Sequence, residues 1–138
     1  MTEKYYVDTS IWMDLYEDRE GHRGEPIGDY ALNLLALIKA KKAELFISDM
    51  LIRELEGYYS MEEINGMMNP FNEIIKKVVA SKEQRLEARR IADERSLPHG
   101  DVLHAILARD NGLILVTRDN DFKSLRDISM HYKPEELI

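Results

Sequence analysis

The sequence KYYVDTS, residues 4–10, decides how the rest of the chain is interpreted. Its segment YYV, residues 5–7, consists of bulky residues that favour β-strands. Asp8 follows directly, and an apolar helical pattern begins soon after Ser10. This order is typical of a buried parallel strand that ends at an acid, and either Thr9 or Ser10 is the expected cap of the next helix. Because open α/β sheets bind ligands beyond the carboxyl ends of their strands, Asp8 lies where a functional site is expected.

Length and composition predict one globular domain spanning residues 1–138. With 44% hydrophobic and 33% charged residues, the chain contains no apolar run near the roughly 20 residues of a membrane span. The first residues have the pattern of a strand, so we expect no signal peptide there, and the absence of cysteine excludes disulfides and zinc–thiolate sites. We therefore expect a cytoplasmic protein with no membrane partner. The net charge of −7 argues against a simple basic nucleic-acid binder, although cations bound by clustered acids would reverse the local charge.

Predicted strands and helices alternate along the chain. Further strands are predicted at residues 44–48 and 113–117, with an edge strand at residues 128–132. Helices are predicted up to about residue 17, at about 29–41, from Ser48 or Asp49 through 55, at 61–68, at 82–95 behind a capping box, and from Asp101 to about 111. Residues 71–80 fit a helix or a strand equally well. This alternation predicts a three-layer α/β/α sandwich around a mostly parallel sheet.

Acidic residues stand at the ends of these predicted elements. They are Asp8, Glu54, Asp101, Asp119 and Asp121. Asp8 follows the first strand, and Asp119 and Asp121 follow the strand at 113–117. If those two strands are neighbours, their carboxyl ends share one edge of the sheet. Asp101, at the start of a helix, and Glu54, about 1.5 turns into its helix, can reach the same edge.

Such a cluster of carboxylates needs a compensating charge. Two unit charges ~4 Å apart repel by roughly 4 kcal/mol at an effective dielectric constant of 20. Without a cation, some of the acids would have to be protonated near neutral pH. Oxygen ligands without cysteine favour Mg²⁺ or Mn²⁺ over zinc. Because these ions promote phosphoryl chemistry, the cluster predicts a metal-dependent phosphodiesterase.

At these residues the chain resembles the PIN-domain ribonucleases. The matching motifs are VDTS at 7–10, SDMLIREL at 48–55 and GDVLHAILARDNGLILVTRDNDF at 100–122, together with the spacing between them. The VapC-type toxins of toxin–antitoxin pairs are the nearest subgroup in size and motif order. The resemblance implies cleavage of RNA with Mg²⁺ or Mn²⁺, an antitoxin protein as partner, and a homodimer.

The resemblance also assigns roles to individual residues. The implied catalytic acids are Asp8, Glu54, Asp101 and Asp119, and the implied metal ligands are Asp8, Asp101, Asp119 and Asp121. Supporting hydrogen bonds would come from Thr9, Ser10 and Thr117. Arg118 can contact substrate phosphate or form a surface salt bridge. His104 stands where these toxins usually have a small residue, and residues 58–79 match the family's variable region only in being helical.

Simpler interpretations exist for several of these residues. Asp8 or Asp101 can cap the following helix, and Asp121 can form a turn with its own backbone. His104, on the same helix face as Asp101, is expected to be a core histidine more often than a ligand. Two other functions remain open. In a haloacid-dehalogenase-type phosphatase Asp8 would attack phosphorus, although that motif requires a second aspartate where this chain has Ser10. A non-catalytic PIN scaffold would bind RNA or protein.

Overall fold

The first strand lies at the centre of a five-stranded parallel sheet in the computed structural model, which describes residues 2–138. The strands are β1 (Lys4–Val7), β2 (Glu44–Ser48), β3 (Ile75–Val78), β4 (Ile114–Val116) and β5 (His131–Tyr132). Their order is β3-β2-β1-β4-β5, and every pairing between these strands is parallel. The predicted sheet is therefore confirmed, with β1 and β4 as neighbours.

Helices cover both faces of this sheet. They are α1 (Thr9–Glu17), α2 (Ile27–Ala40), α3 (Asp49–Glu56), α4 (Met61–Met68), α5 (Lys82–Arg95) and α6 (His99–Asn111). Short 3₁₀ helices occupy Asn69–Ile74, Asn120–Leu125 and Pro134–Glu136. Ser48 caps α3 and a capping box at Ser81 begins α5, both as predicted. Within residues 2–138, none of the helices combines the length and the apolar character needed to cross a bilayer.

Alternating side chains of β1 divide the hydrophobic core into two layers. Tyr5 and Val7 pack on one side of the sheet with Trp12 of α1 and the apolar faces of α2, α3 and α4. Tyr6 points to the other side, where it packs with α5 and α6. This alternation is the period-two pattern of a strand that is buried on both faces. It confirms the predicted three-layer α/β/α sandwich.

The structure corrects two predicted helix starts. Asp8, not Thr9 or Ser10, is the N-cap residue of α1, because its extended backbone places its carbonyl oxygen to accept from the N–H of Ile11. α6 begins at His99, directly after the extended Pro98, so that Asp101 is the third residue of the helix. Gly100 is the second residue of this helix, so it lies in the first turn and not in the helix interior.

The structure also defines the secondary structure of residues 71–80 and 128–132. Residues 71–80 contain the end of a 3₁₀ helix that begins at Asn69, followed by β3, which pairs with β2 along its whole length. Lys76 and Lys77 of β3 are exposed, as is common in edge strands. The edge strand predicted at 128–132 is shorter in the structure, where β5 consists of His131 and Tyr132.

The strand order creates a crevice at the carboxyl ends of β1 and β4. From β1 the chain continues outward to β2 and β3, and then it crosses to the other side of β1 to form β4 and β5. β1 and β4 are thus the neighbours at which the winding direction changes, which is where α/β sheets typically bind ligands. Asp8 and Thr117 are the first residues after these two strands.

Candidate active site

A cleft of about 280 Å³ opens at this edge of the sheet. Its lining residues, which we call the acidic cleft, are Asp8, Thr9, Ser10, Met13, Glu54, Tyr58, Asp101, His104 and Asp119. All four predicted catalytic acids therefore line one cavity, although they come from four separate segments of the chain. Asp121 lies beside this cleft, close to Asp101 and Asp119.

Hydroxyl groups hold Asp8 at the floor of the cleft. This residue is only 4% exposed; its Oδ1 accepts a hydrogen bond from Ser10 Oγ at 2.7 Å and its Oδ2 accepts one from Thr117 Oγ1 at 2.6 Å. The side chain makes no capping bond to α1. Burial raises the pKa of Asp8, and the bonds from Thr117 and Ser10 oppose that rise. Because each carboxylate oxygen has a second lone pair, Asp8 retains acceptor capacity toward the cleft.

The turn after β4 connects Asp8 to the next acid. Thr117 Oγ1, which donates to Asp8, also accepts a hydrogen bond from the backbone N–H of Asp119 at 3.1 Å. Asp119 Oδ1 in turn accepts from the N–H of Asp121 at 2.9 Å. The side chain of Asp119 therefore caps the following 3₁₀ helix. A turn of this kind was considered for the side chain of Asp121, but in this bond Asp119 provides the side chain and Asp121 provides the backbone N–H.

Three aspartates are close enough to share one cation. Asp101, Asp119 and Asp121 each provide a carboxylate oxygen, and these oxygens lie within 4.8 Å of one another. Asp8 and Glu54 line the same cleft but do not belong to this group, so metal binding by Asp8 and the catalytic role of Glu54 remain predictions. The oxygen-only composition of the group suits a hard cation such as Mg²⁺ or Mn²⁺.

The electrostatics of Asp101 also fit a cation site. Burial and the negative charge of Asp119 raise the pKa of Asp101 from 3.8 to about 7. Its Oδ2 is buried and has no hydrogen-bond partner among residues 2–138. Asp101 lies in the first turn of α6, where the helix dipole favours an anion, but that effect of roughly 0.3–1 kcal/mol does not offset the repulsion. A divalent cation would compensate this carboxylate.

Glu54 is held at one of its two carboxylate oxygens. Oε1 accepts a hydrogen bond from Thr9 Oγ1 at 2.6 Å and lies 2.6 Å from Nε2 of His104. Burial would raise the pKa of Glu54, but the hydrogen bond and the charge of His104 lower it below its ordinary value. Glu54 is therefore an ionised carboxylate at neutral pH, in a fixed position at the rim of the acidic cleft.

His104 is the site residue whose contacts the sequence did not reveal. The residue is 1% exposed, its Nδ1 lies 2.5 Å from Tyr6 Oη, and Tyr6 Oη lies 2.6 Å from Ser48 Oγ. Burial opposes a charge on His104, but the bond to Glu54 and the surrounding acids raise its pKa above the ordinary value. The helix spacing had placed His104 on the face of Asp101, but only the packing of α3 against α6 shows that it contacts Glu54.

Arg118 forms a salt bridge in a partly buried position. Its Nη1 and Nη2 donate to the two carboxylate oxygens of Glu135 at 2.8 and 2.5 Å, and its Nε lies 3.7 Å from Asp14. The side chain is 18% exposed and borders a second cavity of about 540 Å³, which adjoins the acidic cleft at Ser10 and Asp119. The salt bridge is thus present, and a contact of Arg118 with substrate remains a prediction.

Comparison with known proteins identifies the family. A profile of the PIN domain matches residues 5–128. The chain belongs to the PIN domain family. PIN domains are generally nucleases, and the three-aspartate group could bind a metal ion. The expected resemblance to this family is therefore confirmed.

Several solved structures have the same fold as this chain. A chain of a toxin–antitoxin complex from Klebsiella pneumoniae has 18% identity and a TM-score of 0.65, and the match covers 94% of this chain and 99% of that chain. VapBC2 from Rickettsia felis, bound to a DNA fragment from its promoter, has 22% identity and a TM-score of 0.60, with coverages of 87% and 91%. FitAcB from Neisseria gonorrhoeae has 14% identity and a TM-score of 0.58, with coverages of 95% and 98%. A search of curated proteins finds no match.

Proposed function

We propose that this protein is a divalent-metal-dependent endoribonuclease that acts as the toxin of a toxin–antitoxin pair. The observation that supports this most directly is the meeting of Asp8, Glu54, Asp101 and Asp119 in one cleft. A second is the buried oxygen of Asp101, which has no partner within the described residues 2–138. Membership of a family that generally consists of nucleases points in the same direction.

The aspartate group would hold Mg²⁺ or Mn²⁺. Asp101, Asp119 and Asp121 would bind the ion, and Asp8 would face it from the floor of the acidic cleft. When bound there, such an ion would supply Lewis-acid chemistry for hydrolysis of a phosphodiester.

The protein's own residues prepare the site for this chemistry. Ser10 and Thr117 fix the orientation of the Asp8 carboxylate. Thr117 Oγ1 also accepts from the backbone N–H of Asp119, which holds Asp119 close to Asp8. The hydroxyl of Thr9 is likewise committed to Glu54. With these three hydroxyls donating to carboxylates, we expect water and not a protein side chain to be the nucleophile.

The proposed substrate and partners follow from the same assignment. RNA is the substrate, and an antitoxin protein is the inhibitory partner. The fold is shared with a chain of a toxin–antitoxin complex from Klebsiella pneumoniae and with VapBC2 from Rickettsia felis, which supports this choice of partner. We further propose that the protein acts as a homodimer in the cytoplasm.

An RNA cleavage assay tests the activity. The purified protein is incubated with single-stranded and hairpin RNA in Mn²⁺ and in EDTA, and Asp8→Asn is compared with Asp93→Asn. Asp93 is an exposed aspartate of α5, outside the acidic cleft, so its variant is a control for general effects of losing one charge. We expect Mn²⁺-dependent cleavage that Asp8→Asn abolishes and Asp93→Asn retains.

Other results would favour the alternatives. Binding of RNA without cleavage in either metal condition would indicate a non-catalytic scaffold. Hydrolysis of a phosphomonoester without cleavage of RNA would indicate a phosphatase in which Asp8 is the nucleophile. Cleavage that persists in Asp8→Asn would contradict the proposed site.

A further inference from the structure

A chain of hydrogen bonds begins and ends on α3 and passes through three other elements, β2, β1 and α6. The N–H of Leu51 donates to Ser48 Oγ at 3.0 Å, and Ser48 Oγ lies 2.6 Å from Tyr6 Oη. Tyr6 Oη lies 2.5 Å from Nδ1 of His104, whose Nε2 lies 2.6 Å from Oε1 of Glu54. The hydroxyls and the imidazole in this chain are buried, between the sheet and α6.

The chemistry of these groups fixes the direction of the bond at the rim of the cleft. A carboxylate can only accept, so Nε2 of His104 carries a hydrogen and donates it to Glu54. A neutral imidazole would then accept from the hydroxyl of Tyr6 at Nδ1, whereas an imidazolium would donate to that hydroxyl. The bond from His104 to Glu54 has the same direction in both charge states.

The same helix also makes room for the other oxygen of Glu54. A Cβ atom at Gly100 would overlap Oε2 of Glu54, so that only glycine leaves space for the carboxylate. Gly100 and His104 are four residues apart and share one face of α6. Asp101 lies between them in sequence and belongs to the aspartate group. α6 thus holds Glu54 with one face and contributes a candidate metal ligand from its first turn.

We propose that His104 is a positioning residue that fixes the carboxylate of Glu54 at the rim of the acidic cleft, with Oε1 held and Oε2 beside Gly100. This inference rests on the proposed function, since Glu54 matters only if the cleft binds a cation. A histidine with a purely structural role would affect the stability of the fold and leave cation binding unchanged. A positioning residue would change cation binding through Glu54.

Two amide substitutions separate these roles. In His104→Gln the amide nitrogen can occupy the position of Nε2 and still donate to Glu54. In His104→Asn the side chain is one methylene shorter, so it can reach Tyr6 but not Glu54. Both variants of the full chain are titrated with Mn²⁺ by calorimetry after removal of metal, and thermal unfolding is recorded in EDTA. Glu54→Gln, alone and combined with His104→Asn, completes a double-mutant cycle.

We expect His104→Asn to weaken Mn²⁺ binding by about tenfold, within the roughly 10–100-fold range of outer-shell substitutions, and His104→Gln to retain most of the affinity. In the Glu54→Gln background, His104→Asn should cause no further loss. Equal affinities for the Asn and Gln variants, or the same loss with and without Glu54, would overturn the inference. If the His104→Asn variant does not fold, Tyr6→Phe removes the hydroxyl that holds Nδ1, and unchanged Mn²⁺ affinity in that variant would have the same meaning.

The outcome for the wild-type protein separates the two proposals. If the wild type binds no Mn²⁺ and cleaves no RNA, the proposed function has failed. If the wild type binds Mn²⁺ and cleaves RNA while His104→Asn does so equally well, only the positioning role of His104 has failed.

Discussion

Replacing Asp101 by asparagine should stabilise the metal-free protein and abolish the further stabilisation that Mn²⁺ gives the wild type. In the folded protein, burial and the charge of Asp119 raise the pKa of Asp101 from 3.8 to about 7. A carboxyl group with a raised pKa destabilises the fold once it is ionised. The penalty is absent below about pH 4, grows between pH 4 and 7, and is complete above pH 7. Asparagine carries no charge at any of these pH values.

The size of the effect follows from the same pKa difference. A difference of about 3 pH units corresponds to at most about 4 kcal/mol at pH 8. Because Asp101 is only partly buried, solvent screening reduces this figure, and we expect a gain of about 1–2 kcal/mol in the free energy of unfolding. For a chain of this length, that corresponds to a rise in Tm of about 3–8 °C.

Thermal unfolding at pH 5 and pH 8, in EDTA and in Mn²⁺, measures both parts of the prediction. In EDTA at pH 8, Asp101→Asn should have the higher Tm, and the difference should be smaller at pH 5. In Mn²⁺ the wild type should gain stability, because the ion binds only the folded state, whereas the variant should not. Asp93→Asn should match the wild type throughout. A lower Tm for Asp101→Asn at pH 8 in EDTA, or an undiminished gain in Mn²⁺, would refute the reasoning.

Three further substitutions test other parts of the site. Gly100→Ala should weaken Mn²⁺ binding by about tenfold, because the added Cβ displaces the carboxylate of Glu54. Its Tm in EDTA should not fall, because alanine is the better helix former by up to about 1 kcal/mol. Unchanged Mn²⁺ binding would contradict the contact between residue 100 and Glu54. Thr117→Val leaves Oδ2 of the buried Asp8 without its donor and should lower the free energy of unfolding in urea by about 1–3 kcal/mol; a loss below about 0.5 kcal/mol would mean that the bond contributes little. Arg118→Lys loses the bidentate salt bridge to Glu135 and should lower the free energy of unfolding by about 1 kcal/mol. The KM for RNA distinguishes the two roles open for Arg118: a value within about twofold of the wild-type value indicates a salt bridge alone, and a larger rise indicates direct contact with phosphate.

The sequence predicted the sheet and the meeting of the acids because both depend on local patterns. Apolar residues with high β-propensity in β1 and β4 predicted two buried strands. Because these strands are parallel neighbours, the acids that follow them lie at the same edge of the sheet. The helix limits at α4 and α5 were also predicted correctly, because capping and helix-ending residues are local signals.

What the sequence left open depends on contacts between distant segments. The segment that contains β3 has apolar residues that suit a helix or a strand, and only its pairing with β2 makes it a strand. The start of α6 was predicted two residues too late, because the Pro98–Gly100 segment is typical of a loop although its last two residues form the first helical turn. Which of the acids form the compact group depends on the turn that Asp119 caps.

The contact of His104 with Glu54 had no local signal at all. The two residues are 50 positions apart, and they meet because α3 packs against α6 on one edge of the sheet. A histidine on an apolar helix face is consistent with an ordinary core position, and its burial agrees with that interpretation. Only its two hydrogen-bond partners indicate a role at the site.

Crystals of the protein grown with Mn²⁺, measured at the manganese absorption edge, test the site most directly. An anomalous peak within coordination distance of carboxylate oxygens of Asp101 and Asp119 is the predicted result, and the peak should disappear in Asp101→Asn. A fully ordered acidic cleft with no such peak at saturating Mn²⁺, or a peak only at some other place on the protein, would contradict the metal centre on which the proposed nuclease activity depends.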